Sequence, residues 1–264
     1  MAPRVPTEAD FAPLEKTLPH VLHFPDPPES TTAILLIFHG LGDHEVPFAN
    51  FAKNIALPGV LAITIRGVEP LPAALLGDLA EEDAPPSHFH WGDDLKLDTA
   101  TGELDPDPGF EKAADLILSK LIKEILFEKC GWEANDILLF GFGQGGSFAL
   151  GLSSRLQKSS QVTEVADEQD IASTDNKQTF KGVITVGGPL PMTMVSSLST
   201  RQKSKTSVLA CQLDDADASV IRQEFNDVQV VKWKHNRMTM PADPEEILPI
   251  MTFFAARLSH GYES

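Results

Sequence analysis

Residues 137–147 read Ile-Leu-Leu-Phe-Gly-Phe-Gly-Gln-Gly-Gly-Ser. A short apolar run of strand type meets closely spaced glycines and then an Ala/Leu-rich helix, so the stretch is a strand, a tight turn and a helix in immediate succession. Two further runs, Ala33–Phe38 and Val60–Ile65, are apolar without alternation. Strands of that kind are covered on both faces, as in a parallel sheet. A helical spacing of Phe48, Phe51, Ala52 and Ile55 separates them and ends at Pro58-Gly59. Strands alternating with helices predict an α/β fold: a mostly parallel central sheet with helices on both faces.

The remaining elements follow the same logic. Residues 1–20, rich in proline and charge, are expected to form an irregular lead-in, with a short edge strand at 21–25 opening a single domain over 21–264. Residues 66–110 hold many prolines, glycines and aspartates and form a long excursion. A helix is expected from about 109 to 130, with Ala114, Ile117, Leu121, Ile122, Ile125 and Leu126 on one face and Gly131 as its stop. Strands are predicted at 182–186, 207–212 and 228–234, and helices near 148–156, 218–225 and 243–258. The last begins with Asp243 as N-cap and Pro244 at its first position. Residues 157–180 carry few large apolar side chains and read as a polar, flexible insertion.

The net charge is −17. Like charges repel over about 8 Å at physiological salt, which argues against nucleic acid or an anionic membrane as a standing partner. Two cysteines, Cys130 and Cys211, lie far apart and give no disulfide framework. No apolar window suits a membrane span or a secretory leader, so a cytoplasmic protein is expected. His88 and His90 could converge on a metal from an extended segment, but no third ligand stands at a recognisable spacing. Neither a metal nor a cofactor is expected.

Taken in order, His39-Gly40-Leu41-Gly42-Asp43, Trp91-Gly92-Asp93, Gly141-Phe142-Gly143-Gln144-Gly145-Gly146 and an Asp and His near the C-terminus resemble the phospholipase/carboxylesterase family, which includes the acyl-protein thioesterases. The resemblance runs from about Ala33 to Leu258 and implies a single-domain α/β-hydrolase. It implies an oxyanion hole built from the backbone N–H groups of Leu41 and Gln144, and a groove lined by Trp91 and its neighbours. It places the acid on Asp217, with Asp214 and Asp215 as competitors or as the cap of a following helix. The base falls on His235, or its place falls on Met238 when the register is set from Met240-Pro241. The nucleophilic serine of Gly-x-Ser-x-Gly falls on Gly143, which has no side chain to attack a carbonyl.

Two functions therefore stand side by side. One is a degenerate hydrolase that binds a small acyl ester or an acylated-protein-like ligand without cleaving it. The other is a carboxylic-ester or thioester hydrolase in which Asp217 and His235 activate water or another nucleophile. The sequence leaves the oligomeric state open.

Overall fold

The structure, a computed structural model, describes residues 3–76, 85–97, 102, 104–163, 179–195, 203–234 and 237–259. In chain order the elements are α1 (Glu8–Phe11), β1 (His20–His23), β2 (Ala33–Phe38), α2 (Glu45–Ile55), β3 (Val60–Ile65), β4 (Glu69–Pro70), α3 (Ala73–Leu76), β5 (Phe89–His90), α4 (Glu111–Leu116) continued by a π-helix over Ile117–Lys129, β6 (Ile137–Phe142), α5 (Gln144–Thr163), β7 (Gly182–Val186), β8 (Val208–Gln212), α6 (Asp215–Glu224), β9 (Val228–Lys232) and α7 (Pro244–Ser259).

Seven strands form one sheet in the order β1-β3-β2-β6-β7-β8-β9. Only β1 runs antiparallel, on the edge beside β3. From β2 the chain moves outward to β3 and then returns across β2 to β6. This reversal opens a crevice at the C-terminal ends of β2 and β6, the place where open α/β sheets hold ligands. The parallel register pairs Phe38 with Gly141, so the loop leaving β2 and the turn leaving β6 emerge side by side.

Every residue of β2, β3, β7 and β8 is buried. Strand pleating sends Ile34, Leu36 and Phe38 to one face, against Ile117, Leu121, Phe148 and Ile221. Leu35 and Ile37 go to the other, against Phe48, Phe253 and Phe254. Each such side chain contributes about 1.5–3 kcal/mol of transfer free energy, so this two-sided core fixes the sheet and hence the crevice.

The structure corrects the reading of the lead-in and of the insertion's start. Phe11, Leu14 and Leu18 are buried in the main core, and Arg4 N–H donates to Cys130 O. Asp10 anchors this segment. Its carboxylate accepts from both guanidinium nitrogens of Arg4 at 2.8 Å, from Thr7 N and Oγ1, and pairs with Lys129. The segment therefore packs as part of the domain. Further on, α5 continues to Thr163, past the end expected at Leu156. Residues 164–178, the rest of the polar insertion, lie outside the described residues. No helix among the described residues is long and apolar enough to cross a membrane.

Arg4, more than Lys129 or Thr7, holds the Asp10 carboxyl far below the ordinary carboxylate range. Both cations are 46% exposed, so their attraction is partly screened. Asp10→Asn should cost about 2 kcal/mol in urea unfolding at neutral pH. A depressed folded-state value gives stability that is complete above the unfolded value of about 4 and drains away as pH falls below it. The gap between wild type and variant should therefore be flat from pH 5 to 7 and shrink on acidification below 4. A gap that widens on acidification would contradict the assignment.

Candidate functional site

The turn after β6 is shaped by glycines with different tasks. A Cβ on Gly141 would lie well under 3.0 Å from Gly145 O, and one on Gly145 would meet the carbonyl oxygens of Phe38 and His39 just as closely. These two positions hold backbone against backbone and admit no side chain. Gly143, between strand and helix, has φ +51°, and a Cβ there would meet only Gly40 Cα at 4.0 Å. Sterics therefore leave the position open, while the left-handed backbone favours glycine. Gly143 N–H donates to Val186 O at 2.8 Å, and Gly143 O accepts from Gly146 and Ser147 N–H.

The neighbouring loop, residues 39–43, is held from below. His39 is fully buried; its Nδ1 donates to Gly40 O and its Nε2 accepts from Gly67 N–H, both at 2.7 Å. Burial pushes its pKa down to about 4, so the ring is neutral and its tautomer is set by these two bonds. With both nitrogens occupied, His39 is a scaffold and not a base. Gly42, at φ +78°, donates to Phe89 O and accepts from His88 Nδ1. This leaves Leu41 at the loop's tip, 38% exposed, with no acceptor for its N–H among the described residues. Gln144 opens α5, so its N–H belongs to the first turn, which has no intrahelical acceptors. The two N–H groups assigned to an oxyanion hole thus belong to the two loops that the β2–β6 register sets side by side.

Trp91 departs from the expectation of a groove wall. Its ring is wholly buried, stacked on Phe148 at 5.0 Å and edge-on to Phe38 at 5.3 Å. Its Nε1–H donates to His39 O at 2.9 Å and its N–H donates to Gln144 Oε1 at 2.9 Å. A large ring with one donor is best satisfied in the core beside a carbonyl. Trp91 therefore forms the floor that ties the His39 loop to the start of α5.

Asp217 lies in the first turn of α6, half-buried, and among the described residues no donor reaches its carboxylate. Burial, followed by the neighbouring Asp214, raises its pKa. Asp214 is the N-cap, accepting from the N–H groups of Ala216 and Asp217 at 2.9 and 3.2 Å. His235 lies outside the described residues. Met238 packs over Gly187: a Cβ on Gly187 would overlap the methionine side chain. Gly187 follows Val186, the residue whose carbonyl anchors Gly143 N–H, so Met238 stands two short links from the elbow.

Sequence reasoning missed the support behind that contact. Gly188 abuts Ser147 N and Gly143 O, and its carbonyl accepts from Gln212 Nε2 at 2.8 Å and from Thr185 Oγ1 at 3.1 Å. The available signal was a Gly-Gly pair directly after the strand at 182–186 and a lone Gln closing the apolar strand at 208–212.

The other nucleophile candidates are withdrawn from solvent. Ser147 is 1% exposed, and its Oγ has no hydrogen-bond partner among the described residues. Burial pushes the Cys211 thiol up to about 12 and also raises that of Cys130. Among the described residues no three His, Cys, Asp or Glu side chains gather as a metal site, and His88 is engaged with Gly42 O.

Comparison with known proteins agrees with this geometry. The profile described as Phospholipase/Carboxylesterase matches residues 23–165. A protein named an uncharacterized hydrolase from Schizosaccharomyces pombe is 28% identical over 217 residues, covering 81% of this chain and 78% of that protein. Among solved structures, esterase PE8 superposes with a TM-score of 0.60 at 15% identity, covering 91% of this chain and 99% of that one. Zea mays acyl-protein thioesterase 2 gives 0.57 at 16% identity, covering 90% and 98%. At such identities the structural likeness concerns the fold, an α/β-hydrolase. With more than half of its length matched by the profile, and with the elbow and the His39 loop inside that match, the chain belongs to the phospholipase/carboxylesterase family.

Proposed function

We propose that this protein is a non-hydrolytic member of its family, which keeps the elbow and the oxyanion loop as a binding site for a small acyl ester or an acylated-protein-like ligand. The observation that carries the reading is Gly143, a residue without a side chain at the turn where the family presents its serine. Met238 over Gly187 supports the loss of a base beside it, since a thioether neither takes nor gives a proton. Asp217, without a donor among the described residues, orients no imidazole there. Ser147, Cys211 and His39 are each buried or fully engaged, so none of these three is a substitute. What the site retains are backbone donors, Leu41 and Gln144 N–H, which suit a carbonyl oxygen bearing partial negative charge. The acidic surface disfavours nucleic acid and a stable membrane association.

The test is direct. Purified protein should neither label with a fluorophosphonate probe nor turn over a short-chain p-nitrophenyl ester above the level of buffer with a matched inert protein. Labelling, or turnover that disappears in His235→Ala, would overturn the reading and restore an active hydrolase.

A further inference from the structure

Gln144 carries a second donor beside its backbone N–H. Its Oε1 accepts from Trp91 N–H at 2.9 Å. A backbone N–H can only donate, so this bond fixes which end of the carboxamide is oxygen; a flip would set donor against donor. Nε2 is therefore the other end. Among the described residues nothing accepts from it. Gln144 is half-buried, and Nε2, unlike Ser147 Oγ, is not sealed from solvent.

The surroundings of this amide leave its protons available. Gly92 lies beside it: a Cβ there would stand 3.6 Å from Nε2 and would collide with Pro108 Cγ at 2.5 Å. Gly92 and Pro108 thus form a wall next to Nε2 that offers it no side-chain acceptor. The carboxylates next to that wall in the chain are committed elsewhere. Asp93 accepts from the N–H groups of Glu111 and Lys112 at 2.7 and 3.0 Å, and Asp107 accepts from Thr193 N and Oγ1 at 2.9 and 2.5 Å. Position makes the donor useful. Gln144 opens α5, and the Cα–Cβ bonds of a helix tilt toward its N-terminus, here toward the elbow. The length of one glutamine side chain keeps Nε2 within about 6 Å of its own backbone nitrogen.

We infer that the Gln144 carboxamide is a ligand-binding group of the elbow, donating through Nε2 to a second oxygen of the ligand while the backbone N–H groups take the ester or thioester carbonyl. The inference rests on the acyl-binding reading above and narrows its ligand. An acyl chain is hydrocarbon, so the second oxygen belongs to the carrier. A thioester sulfur cannot replace it, being a weak acceptor. With hydrogen bonds of about 2.9 Å at each end, the two oxygens stand about 4–8 Å apart. An amide carbonyl a few bonds beyond the linkage supplies that spacing, and a plain alkyl carrier offers Nε2 nothing. The class selected is an acyl group on an amide-bearing carrier.

Calorimetry tests this with S-hexanoyl-N-acetylcysteamine and with S-pentyl thiohexanoate, a chain of the same length without the amide. The readout is the preference, the Kd of the pentyl probe divided by that of the amide probe. In Gln144→Glu the preference should fall about fivefold or more, the worth of one neutral hydrogen bond. The carboxylate still accepts from Trp91 N–H, but it meets the ligand with an acceptor in place of a donor. Its charge weakens both probes at the shared carbonyl, and the ratio cancels that effect. With the tie to Trp91 kept, this variant should hold the wild-type melting temperature. Gln144→Ala removes donor and tie together and should lower the preference by about the same factor. The two ways of failing are distinct. If neither probe binds the wild type, the acyl-binding reading of the elbow falls and this inference falls with it. If both bind and the preference is the same in wild type, Gln144→Glu and Gln144→Ala, the inference alone is overturned.

Discussion

The double variant Gly143→Ser/Met238→His should label with a fluorophosphonate probe and hydrolyse a p-nitrophenyl ester, while each single variant stays at the wild-type level. A serine hydroxyl is a weak nucleophile until a base takes its proton, so a serine alone and an imidazole alone are equally silent. The two act as a unit: in a triad, removing either nucleophile or base forfeits about 10⁶ in turnover. The acid matters less. Its loss costs about 3 × 10⁴, so nucleophile and base without it still return about 10². The double variant should therefore gain at least about a hundredfold over either single one, and more if Asp217 or Asp214 reaches the new imidazole.

Space permits the change, because a Cβ on Gly143 meets only Gly40 Cα at 4.0 Å. The left-handed backbone at φ +51° should cost about 1–3 kcal/mol of stability, which a melting curve will register. Hydrolysis in a folded double variant with silent single variants would place the lost base at 238. A folded but silent double variant would remove Met238 from that role. Strong activity in Gly143→Ser alone would instead mean that a native histidine already faces the elbow.

Much of this architecture was legible in the residues. Unalternating apolar runs fixed β2, β3 and β6 almost to the residue, because strands buried on both faces leave no room for polar side chains. The elbow was legible because only glycine tolerates the approach of Gly141 and Gly145 to neighbouring carbonyls. Trp91 was harder. It sits in a stretch of prolines, glycines and aspartates that reads as surface, and its burial depends on Phe148 and His39, 57 and 52 positions away. The lead-in hid for a different reason: Phe11, Leu14 and Leu18 keep the i, i+3, i+7 spacing of one helix face, but Pro13, Pro19 and the charges between them read as a break in any helix.

The base was hardest to place. The loop after β9 has neither periodicity nor a turn of fixed type, so no local rule sets its register. Met238 is one of two candidates: it packs over Gly187, while His235 lies outside the described residues. Conversely, α5 outruns its apolar pattern. Residues 157–163 are polar enough to read as loop, yet once nucleated a helix extends at little cost per residue.

Trp91→Ala should be the most damaging substitution outside the glycines, lowering unfolding free energy by about 3–5 kcal/mol. A domain of this kind holds about 5–15 kcal/mol in total, so the variant should melt far below the wild type or fail to accumulate. Two losses combine. The cavity strips partners from Phe148, Phe38 and His39, and the buried His39 carbonyl loses the indole N–H donor. Trp91→Phe separates them: a ring still fills most of the space against Phe148, and the cost should fall to about 1–2 kcal/mol, the share of the missing indole N–H. Gln144→Ala is the complementary probe, removing the other end of the tie by freeing Trp91 N–H while leaving the ring packed. If Trp91 were a groove wall, Trp91→Ala would leave stability nearly unchanged and only alter ligand affinity. Its burial under the His39 loop requires the reverse order, with the fold failing first and any ligand binding lost as a consequence.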